Sequence, residues 1–277
     1  MLQHPAVAVI HSVCNMKIAT WNVNSVRSRF DHLVKWLNHF QPDVVLLQEL
    51  KLISELFPHD QLLDEGYQAA VFGQKTYNGV AILSKHRIED VTYGFENNPL
   101  PDEARYIDAL IDGSVRVASV YVPNGQNLES PKYPTKLKFI EALRNAIQTR
   151  IYENTPYIIG GDFNIAPHDL DATYPDRWKG NVPFTAAERQ GYNQLMHLGL
   201  HDAVRIKYPY TSHSAPDVMS WWDYRGGSFE KNDGLRIDHI LLCPQATDMW
   251  LDAGTDRTPR TWEKPSDHTP VWCDLKV

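Results

Sequence analysis

The chain has 277 residues, 43% of them hydrophobic and 22% charged, enough for one large core with no run long and apolar enough to span a membrane. Its net charge of −7 excludes a broadly basic, non-specific nucleic-acid binder, so a phosphate-rich partner must be held by a local basic face and a cation near the carboxylates. Cys14, Cys243 and Cys273 are odd in number and fit no disulfide framework or zinc site, which points to a reducing, cytoplasmic setting.

Residues 1–15 are mildly apolar without Lys or Arg, a poor signal peptide, and are expected to be a flexible extension. The folded pattern begins at Met16, and residues 16–277 are expected to form a single domain. Lys17 to Asn22 predicts a strand. Phe30, Leu33, Val34, Leu37 and Phe40 recur at helical spacing within a helix over 27–40, which Pro42-Asp43 ends. Val44 to Leu47 is a continuous apolar run, a strand buried on both faces and closed by Gln48-Glu49. Residues 52–66 are expected to be helix and loop.

Strand patterns then recur over 68–72, 79–84, 88–93, 106–112 and 115–122, with turn residues between them, and predict antiparallel sheet. A helix follows over 135–150. Tyr157-Ile158-Ile159 is a buried strand running into Gly160-Gly161-Asp162-Phe163-Asn164. On extended chain Asp162 and Asn164 point to one face, beside glycines that let another group approach closely. A loop-rich stretch leads to a helix over 186–198. Further strands are predicted over 235–242 and 271–275.

Acidic or amide residues recur at strand ends: Asn22, Asn24, Glu49, Asp162, Asn164, Asp238 and Asp267. A hard divalent cation is held by one or two carboxylates, waters and substrate phosphate, which suits this set better than zinc chemistry does. Glu49 and Asp267 are the expected ligands, with Asn22 assisting. His268 needs a carboxylate partner to act as a base or a phosphate-contacting cation. Neighbouring strand residues point opposite ways, so Asp238 is a better partner than Asp267. Trp221, Trp222, Tyr224 and Arg225 form an aromatic–cationic stretch able to stack on bases and bind phosphate. Three aromatics in four residues cannot all enter one core. Lys132, Lys136 and Lys138 flank a helix start and could reach a nucleic-acid backbone.

Taken in order, several blocks resemble the exonuclease III family of DNA-repair nucleases within the endonuclease/exonuclease/phosphatase superfamily. They are Trp21 to Arg27, Leu47-Gln48-Glu49, Gly79-Val80-Ala81, Tyr121 to Gly125, Gly160 to Asn164, Ser220 to Arg225, Leu235 to Asp238, and Ser266-Asp267-His268. The resemblance implies an α+β, four-layer α/β/β/α sandwich of two packed, mostly antiparallel sheets flanked by helices. It implies a monomeric Mg²⁺- or Mn²⁺-dependent hydrolase acting on double-stranded DNA with 3′ ends or abasic sites, as exonuclease, 3′-phosphatase and abasic-site endonuclease. A phosphatase or phosphodiesterase of the same fold, and a non-catalytic DNA-binding relative, are the competing readings.

Roles follow from the same resemblance. Glu49 would bind the metal, near Asn22 and Asp267. Asp162 would handle the proton of the attacking water or of the leaving oxygen. Asn164 and Asn124 would orient the phosphate, and Tyr121 would touch the phosphate or help the leaving group. His268, paired with Asp238, would stabilise charge on the phosphorus oxygens. Trp222 and Leu235 would line a sugar pocket, and Arg105 would contact DNA. Leu50 departs from the small residue many relatives carry after the metal-binding Glu. His168, just after the Asp162 strand, is expected to narrow the DNA groove and bias the enzyme toward 3′ exonuclease work.

Overall fold

The computed structural model describes residues 15–211 and 218–277. The expected N-terminal extension lies outside the described residues except for Asn15, which already pairs with Lys276 in the first strand. Among the described residues, twelve strands form two six-stranded sheets. The first contains β1 (Asn15–Asn22), β2 (Val44–Gln48), β3 (Gln68–Phe72), β4 (Val80–Ser84), β11 (Trp250–Thr255) and β12 (Val271–Lys276), in the order β11-β12-β1-β2-β4-β3. The second contains β5 (Ile88–Tyr93), β6 (Tyr106–Ile111), β7 (Val115–Tyr121), β8 (Tyr157–Asp162), β9 (His201–Asp202) and β10 (Asp238–Leu242), in the order β5-β6-β7-β8-β10-β9.

The sheets pack face to face through Ile18, Leu46, Val80 and Ile82 on one side and Ala118, Val120, Ile159 and Ile240 on the other, all fully buried. Helix α1 (Phe30–Phe40) covers the outer face of the first sheet with Leu33, Trp36 and Leu37. The long α3 (Lys132–Tyr152) covers the second with Phe139, Leu143 and Ile147, and α5 (Ala186–Met196) packs beside it. This is the expected four-layer α+β sandwich, with helices outside and sheets within.

Strand pairing is antiparallel except in one pair per sheet. β1 runs parallel to β2, with α1 as the connection, and β7 runs parallel to β8, with α3 as the connection. Parallel neighbours need such a crossover, because no tight turn can return the chain to the same end of the sheet. Both pairs finish at the same edge of the sandwich. A polar link crosses the core one layer below that edge. Gln48 Nε2 donates to Ser119 Oγ at 2.9 Å, and Ser119 Oγ donates to the Leu47 carbonyl at 2.9 Å.

The glycines of β8 serve packing. A Cβ on Gly161 would stand 1.9 Å from the Val120 carbonyl oxygen, and one on Gly160 would stand 2.8 Å from Leu46 Cδ1. The group that approaches closely is therefore the neighbouring strand and the facing sheet. Gly161→Ala is expected to destabilise the protein by about 3 kcal/mol or more, because the obstructing atom is backbone that cannot rotate away. A denaturant midpoint equal to that of the wild type would contradict this packing.

Three element boundaries shift for local reasons. The first helix starts at Phe30, because left-handed Asn24 (φ 45°) and Ser25 (φ 86°) turn the chain sharply out of β1 first. β8 stops at Asp162, because Asn164 is left-handed (φ 51°). β10 begins only at Asp238, since Leu235 bridges to Ala172 and Trp221 and the Arg236 amide donates to the Asp171 carbonyl.

Candidate active site

The edge where the parallel pairs end collects residues from both sheets. Asn22 closes β1, Glu49 follows β2, Tyr121 closes β7 and Asp162 closes β8. Asp238 opens β10 directly beside Asp162 in the ladder, and Asp267-His268 precedes β12. The Asn22 side-chain amide donates to Glu49 Oε1 at 2.9 Å and to Asp162 Oδ2 at 3.0 Å. Carboxylates 113 positions apart in the chain, on different sheets, therefore share one cleft through a single amide.

Asp162 and Asn164 do not lie side by side on extended chain. Asp162 Oδ1 instead accepts the Asn164 N–H at 2.8 Å in a tight Asx turn. That turn swings the Asn164 side chain toward the loop after β7. There Asn124 Nδ2 donates to Asn164 Oδ1 at 2.9 Å, and Asn164 Nδ2 donates to the Val122 carbonyl at 3.0 Å. Each primary amide keeps a second N–H with no partner among the described residues, in position for an anionic oxygen.

His268 stands between two carboxylates. Its Nδ1 is 2.8 Å from Asp238 Oδ2, and its Nε2 is 3.7 Å from Asp162 Oδ2. Ser220 Oγ donates to the same Asp238 oxygen at 2.7 Å and fixes that carboxylate. Burial alone would lower the imidazole, but Asp238 and Asp162 reverse this and hold its pKa up at about 10. Burial pushes the Asp162 carboxyl up to about 7, and the Asp238 and Glu49 carboxylates act in the same direction against His268 and the Asn164 amide. Burial and the nearby Glu49 and Asp162 charges keep Tyr121 a neutral phenol, able to donate a hydrogen bond. The site thus carries a charged imidazole, a carboxyl able to exchange a proton near neutrality, and a phenol.

Glu49 behaves differently. Burial acts to raise it, yet the Lys51 ammonium and the Asn22 amide together hold it below the ordinary range. Lys51 Nζ lies 2.8 Å from Glu49 Oε2 and 2.5 Å from Asn24 Oδ1, so a positive charge already suits this position. Ligand-type atoms of Glu49, Asp162 and His268 lie within 4.8 Å of one another, and with His268 protonated the two carboxylates are the groups able to take a cation. An oxygen-rich set with an ionised carboxylate and an adjoining cation fits a hard divalent metal. Asp267 sits to one side. Its oxygens accept from Asn24 Nδ2 at 2.8 Å and Trp221 Nε1 at 3.0 Å, so Asn24 links it to Lys51 and the Glu49 group. Asn22 donates to both carboxylates and thereby fixes their spacing.

Other expected positions are placed differently. Trp222 does not reach the cleft. It is 0% exposed, packs edge-on against Phe229, and donates from its indole to Asn232. Its neighbour Trp221 is the one whose indole donates to Asp267 and whose backbone forms a β-bridge with His268. Adjacent residues on extended chain face opposite ways, so assigning the pocket to the second tryptophan put it on the wrong side of the segment. Leu235 is only 1% exposed and packs with Ala166, Ile237 and Trp221, so it backs the wall and offers little surface itself. Trp222→Ala is expected to destabilise the fold by about 3–5 kcal/mol. Trp221→Ala is expected to spare the melting point far better and to reduce activity. Equal melting losses for the two variants would contradict this division.

Arg105 lines a cavity of ≈560 Å³ beside the cleft, together with Tyr77, Glu103, Tyr121 and Asn124. Its guanidinium lies 4.8 Å from the Tyr121 ring centre and donates to the Tyr121 carbonyl at 3.2 Å, so it supports that phenol. His168 is exposed on the loop after β8. It caps a short 3₁₀ turn, accepting the Leu170 N–H on Nδ1 at 3.1 Å, and its ring lies 4.2 Å from that of Tyr210. It lines a separate cavity with Tyr192, Met196, His201 and Arg205, and no cleft residue contributes to that lining. Lys51 and Asn24 complete the Glu49 corner. A Lys two residues after Glu49 was the available signal for the first.

Five non-glycine residues at this edge have positive φ: Asn24, Ser25, Glu49 (φ 54°), Lys51 (φ 56°) and Asn164. Such conformations cost free energy and persist where surrounding structure enforces them, commonly at functional sites.

A match to the Endonuclease/Exonuclease/phosphatase family spans residues 19–268. The chain belongs to this family. It is 36% identical over 271 residues to Exodeoxyribonuclease III of Haemophilus influenzae, covering 94% of this chain and all of that protein. Among solved structures of the endonuclease/exonuclease/phosphatase fold, it superimposes on the 3′ phosphatase NExo of Neisseria bound to product DNA hairpin, with TM-score 0.88, 39% identity, and coverage of 95% of this chain and all of that one. An AP endonuclease from Archaeoglobus fulgidus gives TM-score 0.88 at 36% identity, with the same coverage of both chains.

Proposed function

We infer that this protein is a DNA-repair nuclease that hydrolyses phosphodiesters at the 3′ ends of duplex DNA, with 3′-phosphatase and abasic-site endonuclease activity. The observation carrying this reading is the Asn22 amide joining Glu49 to Asp162 beside His268. The sequence relatives and the fold neighbours supply the substrate class: an exodeoxyribonuclease III, a DNA-bound 3′ phosphatase and an AP endonuclease.

Phosphodiester hydrolysis needs an in-line water, neutralised charge on the phosphorus oxygens and a stabilised leaving oxygen. Glu49, with Asp162 and Asp267 close by, would hold Mg²⁺ (or Mn²⁺), which supplies charge neutralisation to the phosphate and the leaving oxygen. Asn124 and Asn164 turn their spare N–H groups on the phosphate. His268, kept charged by Asp238, donates from Nε2 to a phosphorus oxygen. Asp162 takes up or returns the proton at its carboxylate, and Tyr121 donates its phenolic hydrogen to the phosphate or the leaving oxygen. Trp221 forms the aromatic wall for the sugar. We place the enzyme in the cytoplasm as a monomer. Cys243 and Cys273 are buried and unbridged, and no helix among the described residues is long and apolar enough to cross a membrane.

The test is a 3′-recessed duplex, a 3′-phosphorylated duplex and an internal abasic duplex, side by side. Cleavage of at least one, abolished by chelator and restored by Mg²⁺, is expected. Chelator-insensitive cleavage, or hydrolysis of small phosphate esters that excess duplex DNA does not inhibit, would overturn the assignment.

A further inference from the structure

Lys136 is set apart from the other lysines of α3. Lys132 and Lys138 are exposed, whereas Lys136 is 0% exposed, so it cannot reach a nucleic-acid backbone. Its ammonium has three N–H groups and three acceptors. It donates to the Asn124 carbonyl at 3.1 Å, to the Asn164 carbonyl at 2.6 Å, and to Glu188. Those carbonyls belong to the two residues whose side-chain amides face the phosphate position.

The surroundings are built to hold this contact. Glu188 neutralises the charge and is itself fixed, since its other oxygen accepts from the Thr185 amide at 3.0 Å and the Thr185 hydroxyl at 2.7 Å. The Tyr133 hydroxyl meets that same Thr185 hydroxyl at 2.8 Å. Gly125, at φ +87°, leaves room for the lysine stem, because a Cβ there would stand 3.1 Å from Lys136 Cδ. A buried ion pair contributes little net stability, as its desolvation offsets most of the attraction. The three-way contact therefore calls for another account.

We propose that Lys136 is a positioning residue for phosphodiester cleavage: it ties the backbone of Asn124 to that of Asn164 and so sets the spacing of their phosphate-facing amides. This rests on the nuclease reading above and on the phosphate role of the two asparagines. A neutral side chain cannot hold both loops and Glu188 at once, because no neutral side chain carries three N–H donors on one tetrahedral centre.

The test compares wild type, Lys136→Met, and the charge-neutral pair Lys136→Met/Glu188→Gln, which keeps an oxygen for the Thr185 cap if the single variant fails to fold. The readouts are kcat and KM on the preferred duplex, DNA affinity in chelator, and melting temperature. In the double variant we expect kcat to fall about 10- to 100-fold, with DNA affinity and KM within about threefold of wild type. The same substitutions in an Asn164→Ala background, where one amide is already gone, are expected to cost no more than about threefold. An unchanged kcat in a folded variant overturns the proposal. So does an undiminished loss in the Asn164→Ala background, which would mark a purely structural role. A wild type that cleaves none of the duplexes overturns the nuclease reading and this proposal together. An active wild type with an unaffected double variant overturns the proposal alone.

Discussion

Asp162→Ala is expected to fold, to bind duplex DNA, and to cleave it about a thousandfold more slowly than wild type. The substitution removes a cleft carboxyl whose pKa burial raises to about 7, and a positioned proton carrier is worth roughly 10²–10⁴ in rate. It also removes a buried negative charge paired in the ladder with Asp238. Relief of the buried carboxyl's desolvation and of that repulsion offsets the lost attraction to His268 and the bonds lost from Asn22 and the Asn164 amide, so the melting point should stay close to that of the wild type. Single-turnover cleavage, DNA binding in chelator and a melting curve together decide the matter. Full activity in the variant would remove Asp162 from the chemistry. Lost binding or a collapsed melting point would make its role structural.

Arg236→Leu should have the largest effect on stability. Arg236 is 0% exposed and donates to Asp171 Oδ1 at 2.6 Å and Asp202 Oδ2 at 2.7 Å. Asp171 also receives Arg205 and the Tyr210 hydroxyl, while Asp202 caps the following helix through the Val204 and Arg205 amides. Leucine would leave two buried carboxylates short of their principal cation. Breaking a buried pair from one side costs about 3–5 kcal/mol. For a chain of this size that is a fall in melting temperature on the order of 10 °C.

The same network sets an acid limit. Burial acts to raise Asp171 and Asp202, but Arg236, aided by Arg205 and His239 respectively, holds both well below the usual carboxylate range. A depressed folded pKa means that the stabilisation is complete above the unfolded value of about 4 and is lost as pH falls below it. Wild-type stability should therefore begin to fall as pH drops below about 5 and keep falling through the strongly acid range below about 3, and Arg236→Leu should flatten that decline. Parallel pH–stability curves for the two proteins would contradict the network's role.

Much of the fold was legible because its information is local. Alternation, apolar runs and turn residues located most strands of both sheets, and helical spacing located α1, α3 and α5. The edge strand β11 was missed. Its Trp-Leu-Asp-Ala-Gly-Thr sequence alternates poorly, contains a glycine, and pairs with a register shift. In the site, strand-terminal carboxylates and amides stood out, since seven such positions in one chain are hard to explain as caps. What remained hidden depended on direction and backbone conformation. Trp221 and Trp222 are distinguished only by which way the segment faces. Lys136 looked like one of three surface lysines, and only the packing of α5 against α3 buries it.

The Gln48–Ser119 link lies one residue behind Glu49 and two behind Tyr121. Glu49 and Asp162 ride on separate sheets, so their separation is governed by how one slab seats on the other. This makes the interior the adjusting screw of the chemistry. A slippage of a fraction of an ångström between the slabs would put the Glu49 corner and the Asp162 corner out of alignment while leaving each intact.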